Sequence, residues 1–237
     1  MENFNTTKII GRLLIAGGIL LFIPYTILGI IFDYPAILRQ DMGIVLIKFY
    51  EGGSTLIWVW FTFAIIGLPF LPAYVMLGQK LEKQFSFVRW ATTIGVVGLI
   101  VQMIGLLRWT FVVPVLANNY VHGNKAVKET SKIVFQVIHQ YGGVILGEHL
   151  GQLFTIIWTI MMTAAFARLK LFPRWIIWLG YISSGIYLTA QAELFATVMP
   201  DFPVWDLAGF IGSTLWLIWL VVIGFLMQKK QLNAINK

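Results

Sequence analysis

Six stretches of this chain contain no Asp, Glu, Lys or Arg, and each is 18 residues or longer. A helix needs about 20 predominantly apolar residues to cross the hydrocarbon core of a bilayer, with a usual range of about 17–25. Only helices and closed barrels satisfy their backbone polar groups inside a bilayer, and continuous apolar runs favour helices. The stretches are 13–32, 52–79, 90–107, 150–167, 175–192 and 207–228.

The composition agrees with a lipid environment. Apolar residues make up 59% of the chain and charged residues only 11%, whereas a soluble domain averages about 25% charged residues. We therefore predict an all-α polytopic membrane protein, a single domain over residues 1–237 with six transmembrane helices and the lipid bilayer as its main partner. The predicted spans are about 9–32, 53–79, 90–116, 146–168, 174–198 and 206–228.

The distribution of basic residues predicts the orientation, because cytoplasmic loops carry an excess of Lys and Arg. Placing the N-terminus inside assigns eleven basic residues to the cytoplasm and five to the outer loops, and it puts both termini in the cytoplasm. The inner set is Lys8, Arg12, Lys80, Lys83, Arg89, Arg168, Lys170, Arg174, Lys229, Lys230 and Lys237. The outer set is Arg39, Lys48, Lys125, Lys128 and Lys132.

Three segments need separate predictions. The first apolar run has 20 uncharged residues, longer than the roughly 7–15 of a signal peptide, so we expect an uncleaved first span. In the outer loops, the segment "MGIVLIKFY" (42–50) is predicted to be interfacial. The helical pattern of "SKIVFQVIHQYGGVIL" (131–146) is expected to lie on or dip into the outer face until Gly142 and Gly143 break or bend it.

The composition also excludes several classes of function. The formal charge of +7 is explained by basic cytoplasmic loops, and no basic run with interleaved aromatic residues forms a soluble surface, so we expect no nucleic-acid partner. The chain contains no cysteine, which excludes disulfides, thiolate metal sites and haem attached through C-x-x-C-H.

Candidate functional residues are the charges that lie at similar depth in the predicted bundle. Arg108, Glu148 and Glu193 each lie 19 or 20 residues from an inner basic residue, which on a helix corresponds to roughly 28–30 Å. The apolar sequence also continues beyond Arg108 and beyond Glu193. An ionised group within such sequence costs about 2.5 kcal/mol or more at mid-bilayer. Pairing would reduce that cost. Two interpretations remain open: a buried polar site that opens outward, or snorkelling side chains with a structural ion pair.

Polar residues on the fourth span follow helical spacing. Glu148, Gln152, Thr155 and Thr159 form one stripe, for which interhelical hydrogen bonding is the alternative interpretation. A weaker stripe on the fifth span contains Ser184, Tyr187 and Gln191.

The histidines offer ligand types for a metal, but their spacing matches no metal signature. His149 follows Glu148 directly, so the two side chains point about 100° apart on a helix, and H-E-x-x-H is absent. Of His139 and His149, only His149 is expected within the membrane. We assign no metal ligand and no catalytic residue; the cofactor is unknown, and whether His139 and His149 bind a metal stays open. The predicted binding residues are Arg108, Glu148, His149, Gln152 and Glu193.

The last third of the chain resembles the bacterial membrane family catalogued as domain of unknown function 4386. The resemblance lies in a short basic turn and span, "LKLFPRWIIWLGYISSGIYL" (169–188), and in the outer loop and final helix "VMPDFPVWDLAGFIGSTLWLIWLVVIGFLM" (198–227). The opening "GRLLIAGGILLFIPYTILG" (11–29) fits more loosely. The resemblance implies a six-helix protein of a bacterial inner membrane, and it brings no activity or site residues.

Three functions fit these features. The favoured hypothesis is binding or passage of a small polar or anionic solute or ion through an outward-facing polar pocket. In it Arg108 is the partner of an anion or carboxylate, and Glu148, His149 and Glu193 are polar or proton-handling groups. The alternatives are a membrane-embedded enzyme, possibly metal-dependent, with Glu148 as base, and an accessory membrane subunit whose charges only fix its helices.

Overall fold

The computed structural model describes residues 2–229, and every regular element in that range is a helix. The all-α prediction is therefore confirmed for this range, whereas Lys230 and Lys237 lie outside it. The helices are α1 (Glu2–Phe32), a 3₁₀ helix (Ala36–Arg39), α2 (Met42–Ile65), α3 (Phe70–Leu81), α4 (Phe87–Phe111), α5 (Val113–His122), α6 (Lys125–Ile138), a π-helix (His139–Leu150), α7 (Gly151–Arg168), α8 (Arg174–Thr189), α9 (Gln191–Ala196) and α10 (Ala208–Lys229).

Five helical segments within residues 2–229 are long and apolar enough to cross a membrane, which supports the membrane assignment. The sixth predicted span, 174–198, consists of α8 and the short α9, which meet at Ala190. α8 contains 16 residues, slightly short of a complete span. The number of six spans and the orientation of the termini remain predictions. The five segments are Asn5–Phe32, Gly53–Leu81, Phe87–His122, Lys125–Arg168 and Ala208–Lys229.

The fourth of these segments is longer than the sequence suggests. Residues 125–168 form 44 residues of continuous helix. Of the two predicted alternatives at Gly142 and Gly143, the break is therefore wrong, and the bend stays a prediction. The backbone there widens into a π-helix of 12 residues. π-Helices are rare, are mostly single-turn bulges and occur frequently at functional sites. The predicted interfacial helix and the predicted fourth span are thus one structure.

The chain forms two compact units, which we describe separately. Within the described residues, the first unit contains 2–19, 67–100 and 149–229. The second contains Leu20–Ile66 and Val101–Glu148. The prediction of a single domain over the whole chain stays a prediction.

The second unit has an aromatic core. Trp60 and Trp109 stack with centroids 4.7 Å apart and planes 11° apart, and Phe49 stacks on Trp109 at 5.6 Å. Phe32 contacts both tryptophans edge-on. Such ring pairs contribute about 0.5–1.5 kcal/mol each beyond the burial of their area. This core holds α1, α2 and α4 together within the unit.

Loop contacts complete the second unit. Asp41 caps the N-terminus of α2 by accepting a 2.8 Å hydrogen bond from the Gly43 amide, and Lys132 donates to the same carboxylate at 2.7 Å. The Lys132 hydrogen bond, followed by the Gly43 amide, lowers the pKa of Asp41. α2 bends at Gly53, where φ is +54°, a backbone conformation that favours glycine. The second membrane-length segment begins at this residue.

The first unit is packed through small residues and ring stacking. Tyr74 stacks on Trp158 with centroids 3.7 Å apart, and the Trp219 indole donates to the Ile176 carbonyl at 3.1 Å. α1 and α10 approach closely at Gly11, where a Cβ atom would lie 2.6 Å from the Gly224 carbonyl oxygen. Glycine is required at such a backbone contact, as in other closely packed membrane helices.

Candidate functional site

The second unit contains a group of four polar side chains, Arg39, Arg108, His139 and Glu148, which we call the arginine cluster. Arg39, at the end of the 3₁₀ helix, donates through Nη2 to Glu148 Oε2 at 2.6 Å. Both side chains are only partly exposed, at 27% and 20%. The short distance and the low exposure indicate a charge-assisted hydrogen bond.

Arg108 lies on α4 and is 7% exposed. Its Nη1 donates to the Gly105 carbonyl one turn earlier, and its guanidinium lies 5.1 Å from the Trp109 ring centroid. Arg108 makes no ion pair with any residue of the described range, and its buried Nε has no hydrogen-bond partner there. The sequence suggested Glu148 or Glu193 as its partner. Glu148 instead contacts Arg39 and acts on Arg108 only through space, and Glu193 belongs to the first unit.

Two glycines of the π-helix make room for the Arg108 side chain. A Cβ atom on Gly143 would lie 2.5 Å from Arg108 Nη2, and one on Gly142 would lie 3.4 Å from its Cδ. Any larger residue at position 143 would displace the guanidinium. The glycine pair that the sequence suggested as a helix breaker therefore admits a buried cation.

His139, the first residue of the π-helix, is 3% exposed. Its ring lies 5.5 Å from that of Phe135 and 6.2 Å from that of Trp109. Neither ring nitrogen makes a hydrogen bond of ordinary geometry within residues 2–229. His139 belongs to the same 44-residue helical segment as His149, and the expectation that only His149 lies within the membrane stays a prediction.

The charges of the arginine cluster do not balance. Two guanidinium groups share one carboxylate, because Glu148 lies in contact with Arg39 and within electrostatic reach of Arg108. A buried guanidinium with an unused donor presents a fixed fork geometry that matches carboxylates and phosphates. The cluster is therefore suited to an additional anionic group.

The first unit contains a second polar group, formed by His149, Gln191 and Gln152. His149 Nδ1 lies 2.7 Å from Gln191 Oε1, and Gln191 Nε2 donates to Gln152 Oε1 at 2.9 Å. With this amide orientation the proton of a neutral His149 is on Nδ1, which leaves Nε2 as an acceptor. The sequence identified Gln152 and His149, and Gln191 in the weaker stripe, but not that the three are connected.

Glu148 and His149 are sequence neighbours with different partners, as expected from their angular separation on a helix. The polar residues of the predicted stripe on the fourth span make two kinds of hydrogen bond. Gln152 bonds to Gln191 across helices, whereas the Thr155 and Thr159 hydroxyls donate to carbonyls of their own helix four residues earlier. Glu193, in the first turn of α9, is partly exposed.

The predicted binding residues thus fall into two sets. Arg108 and Glu148 lie in the arginine cluster of the second unit, while His149, Gln152 and Glu193 belong to the first unit. The sequence does not identify Arg39 as the partner of Glu148. The one sign that Arg39 lies against the protein is the apolar pair before it, Ile37 and Leu38, which are buried in the structure. Within residues 2–229 no three His, Asp or Glu side chains converge as metal ligands would.

The model of domain of unknown function 4386 matches residues 9–224, which is most of the chain. The chain belongs to this family. The resemblance inferred from the sequence is thus confirmed, and membership brings no assigned activity. Neither a curated protein nor a solved structure matches the chain.

Proposed function

We propose that this member of the domain of unknown function 4386 family binds a small organic anion, a carboxylate, at the arginine cluster. The observation that supports the proposal is the charge imbalance around a buried arginine. Arg108 is 7% exposed and unpaired within the described residues, while the nearby carboxylate is in contact with Arg39. Burial of an uncompensated charge is costly, and an anion that reaches Arg108 removes that cost.

The surroundings of Arg108 favour an anion with an apolar part. The Trp109 ring covers the guanidinium at 5.1 Å, and His139 and Phe135 lie on the same aromatic core. A carboxylate on an aromatic or aliphatic body would satisfy the donors of Arg108 and bury its apolar part beside these rings. Passage of such an anion across the bilayer would use the same binding step.

The contacts of Glu148 weigh against the enzymatic alternative. A general base must accept a proton from its substrate. The Glu148 carboxylate is held by the Arg39 guanidinium at 2.6 Å, so one of its two oxygens is already occupied by a donor and is less available to accept a substrate proton. In the proposed function Glu148 positions Arg39 and sets the charge of the cluster.

Benzoate is a suitable probe for the proposed site. Purified protein in detergent should unfold at a higher temperature as sodium benzoate is added, compared with sodium chloride at equal ionic strength. At a benzoate concentration of 100 times its Kd, the stabilisation is about 2.7 kcal/mol. Arg108→Gln should abolish the benzoate-specific shift, because the amide cannot replace the charged fork.

Arg89→Gln is the matched control, since the Arg89 side chain is 78% exposed and belongs to the first unit. This variant should keep the benzoate response. Equal responses from the wild-type protein and Arg108→Gln would contradict the proposal. A folded Arg108→Gln variant, verified by circular dichroism and gel filtration, excludes loss of structure as the cause.

The proposed orientation places both termini in the cytoplasm of a bacterium, with the protein in its plasma membrane. The eleven-to-five distribution of basic residues supports it. The chain lacks cysteine, so single cysteines report topology cleanly, and Asn119 and Gln84 are both exposed.

Asn119→Cys should react with an impermeant thiol reagent on intact cells, and Gln84→Cys should react only after lysis. Mass spectrometry of the purified variants measures the labelled fraction. The opposite pattern would reverse the orientation, and equal labelling at both positions would contradict the number of spans between them.

A further inference from the structure

Two short loops of the first unit, together with the helix ends that flank them, carry most of its basic residues. One loop joins α3 to α4 and the other joins α7 to α8. Segments 80–89 and 168–174 contain a single acidic residue, Glu82, against six basic ones. We call these six residues the basic collar: Lys80, Lys83, Arg89, Arg168, Lys170 and Arg174.

A cation–π contact brings the two loops together. The Arg168 guanidinium carbon lies 5.5 Å from the Phe85 ring centroid and 5.3 Å from the Phe87 ring centroid. Arg168 is nevertheless exposed. Because rings rather than a carboxylate hold the guanidinium, its charge is not neutralised and its N–H groups remain usable by an anion.

Little of the remaining positive charge is neutralised within the protein. Glu82 pairs with Arg89 at 3.4 Å. Lys83, Lys170 and Arg174 are exposed and make no ion pair with any other residue of the described range. The collar therefore carries a concentrated positive charge on mostly exposed side chains.

Exposed tryptophans place the collar at the depth of lipid headgroups. Trp90 follows Arg89 and is 70% exposed, and Trp175 follows Arg174 and is 56% exposed. Tryptophan is enriched at the membrane–water interface, where its ring is apolar and its N–H is wet. A soluble anion without apolar groups would gain nothing from these indoles, whereas a lipid can contact both them and the basic residues.

Lys170 occupies a position at which most helices have glycine. Its φ is +52°, and the Leu171 amide donates across it to the Phe166 carbonyl at 3.1 Å. This is the hydrogen bond of a Schellman end, whose left-handed residue is usually glycine. A lysine has a conformational cost there, which helix termination alone does not explain.

We propose that the basic collar binds the phosphate headgroups of anionic phospholipids. Lys83, Arg168, Lys170 and Arg174 supply the charge, and Trp90 and Trp175 contact the upper acyl chains. Clusters of Lys and Arg next to membrane helices attract anionic lipids with a favourable contribution from each residue. The collar lies in the first unit, so this site is independent of the arginine cluster.

Spin-labelled lipids in proteoliposomes test the proposal directly. The purified protein is reconstituted in phosphatidylcholine with trace spin-labelled phosphatidylglycerol or spin-labelled phosphatidylcholine, and electron paramagnetic resonance gives the fraction of each label held at the protein. We expect a preference for phosphatidylglycerol that falls with added salt. Lys83→Gln/Lys170→Gly should lower the preference roughly fivefold or more, because each lost charge weakens the attraction.

Lys125→Gln/Lys128→Gln is the matched control, since it removes two exposed lysines from the second unit. This variant should keep the preference. An equal loss in both double variants would mean that net charge alone attracts the lipid and would overturn the assignment to the collar. An unchanged preference in Lys83→Gln/Lys170→Gly would also overturn it.

The single change Lys170→Gly separates lipid binding from folding. Glycine relieves the left-handed conformation at position 170, so the thermal unfolding temperature should rise or stay unchanged. The preference for phosphatidylglycerol should fall at the same time. A purely structural role of Lys170 predicts no decrease in lipid preference, and that result would remove it from the site.

Discussion

Glu148→Gln should destabilise the purified protein by about 1–3 kcal/mol. The substitution removes the carboxylate that contacts Arg39 at 2.6 Å and acts on Arg108 through space. Removal of one partner from a fully buried ion pair costs about 3–5 kcal/mol, and exposed pairs contribute about 0–1 kcal/mol. Arg39 and Glu148 are 27% and 20% exposed, so an intermediate cost is expected. Chemical denaturation in detergent measures it.

The double variant Arg39→Gln/Glu148→Gln should recover much of that loss. It removes the charge of both partners, so the pairwise term of the double-mutant cycle should be about 0.5–3 kcal/mol. Arg108→Gln/Glu148→Gln should recover less, because Arg108 interacts with Glu148 only through space. Equal recovery in the two double variants would indicate a shared network rather than the Arg39 pair. Simple additivity in both would mean that the three groups are independent.

The absence of charged residues over long stretches of the sequence predicted where the apolar helices lie. The uncharged runs 13–32 and 208–228 lie within single helices, α1 and α10, whereas 52–79 is divided between α2 and α3 and 175–192 between α8 and α9. Glycine and proline positions were less informative. Gly142 and Gly143 lie inside a continuous helix, while α8 and α9 meet at Ala190 without a glycine or proline at that position. Whether a helix continues or ends at such a position depends on its packing against other helices, which glycine and proline positions alone do not reveal.

The polar contacts depend on which segments meet, and one sequence does not reveal that. Arg39 and Glu148 are separated by 109 residues, and no periodicity connects them. The sequence singled out Arg108, which is buried, because an ionised side chain within an apolar run is energetically costly. It did not identify a partner for this residue. The π-helix adds a further difficulty, since i to i+5 hydrogen bonding changes the faces on which Glu148 and His149 lie relative to an α-helix.

The position of the π-helix has a packing explanation that glycine substitutions can test. At Gly105 of α4, a Cβ atom would lie 2.7 Å from both the Gly142 carbonyl oxygen and Gly147 Cα. Both contacts are with backbone, which has no rotamer to change. Gly105→Ala should therefore push the π-helix away from α4 and cost about 1–3 kcal/mol, as overpacking does in other closely packed cores.

Gly185→Ala is the matched control for that variant. Gly185 also lies inside a helix, and a Cβ atom there meets nothing within 4 Å. Alanine loses less conformational freedom on folding than glycine, so Gly185→Ala should be neutral or stabilising by up to about 1 kcal/mol. Thermal unfolding of both variants in the same detergent compares a Gly→Ala change that should lower the stability with one that should leave it unchanged or raise it. Similar stabilities would mean that helix propensity, rather than contact between α4 and the π-helix, dominates at position 105.

The same pair of variants connects packing to the proposed function. The Gly105 carbonyl accepts the hydrogen bond from Arg108 Nη1, and the neighbouring Gly143 makes room for Nη2. A shift of the π-helix at Gly105 therefore moves the guanidinium as well as the backbone. Gly105→Ala should weaken benzoate binding along with stability, whereas Gly185→Ala should leave it unchanged. Full benzoate binding by a destabilised Gly105→Ala variant would separate the packing role of Gly105 from the placement of Arg108.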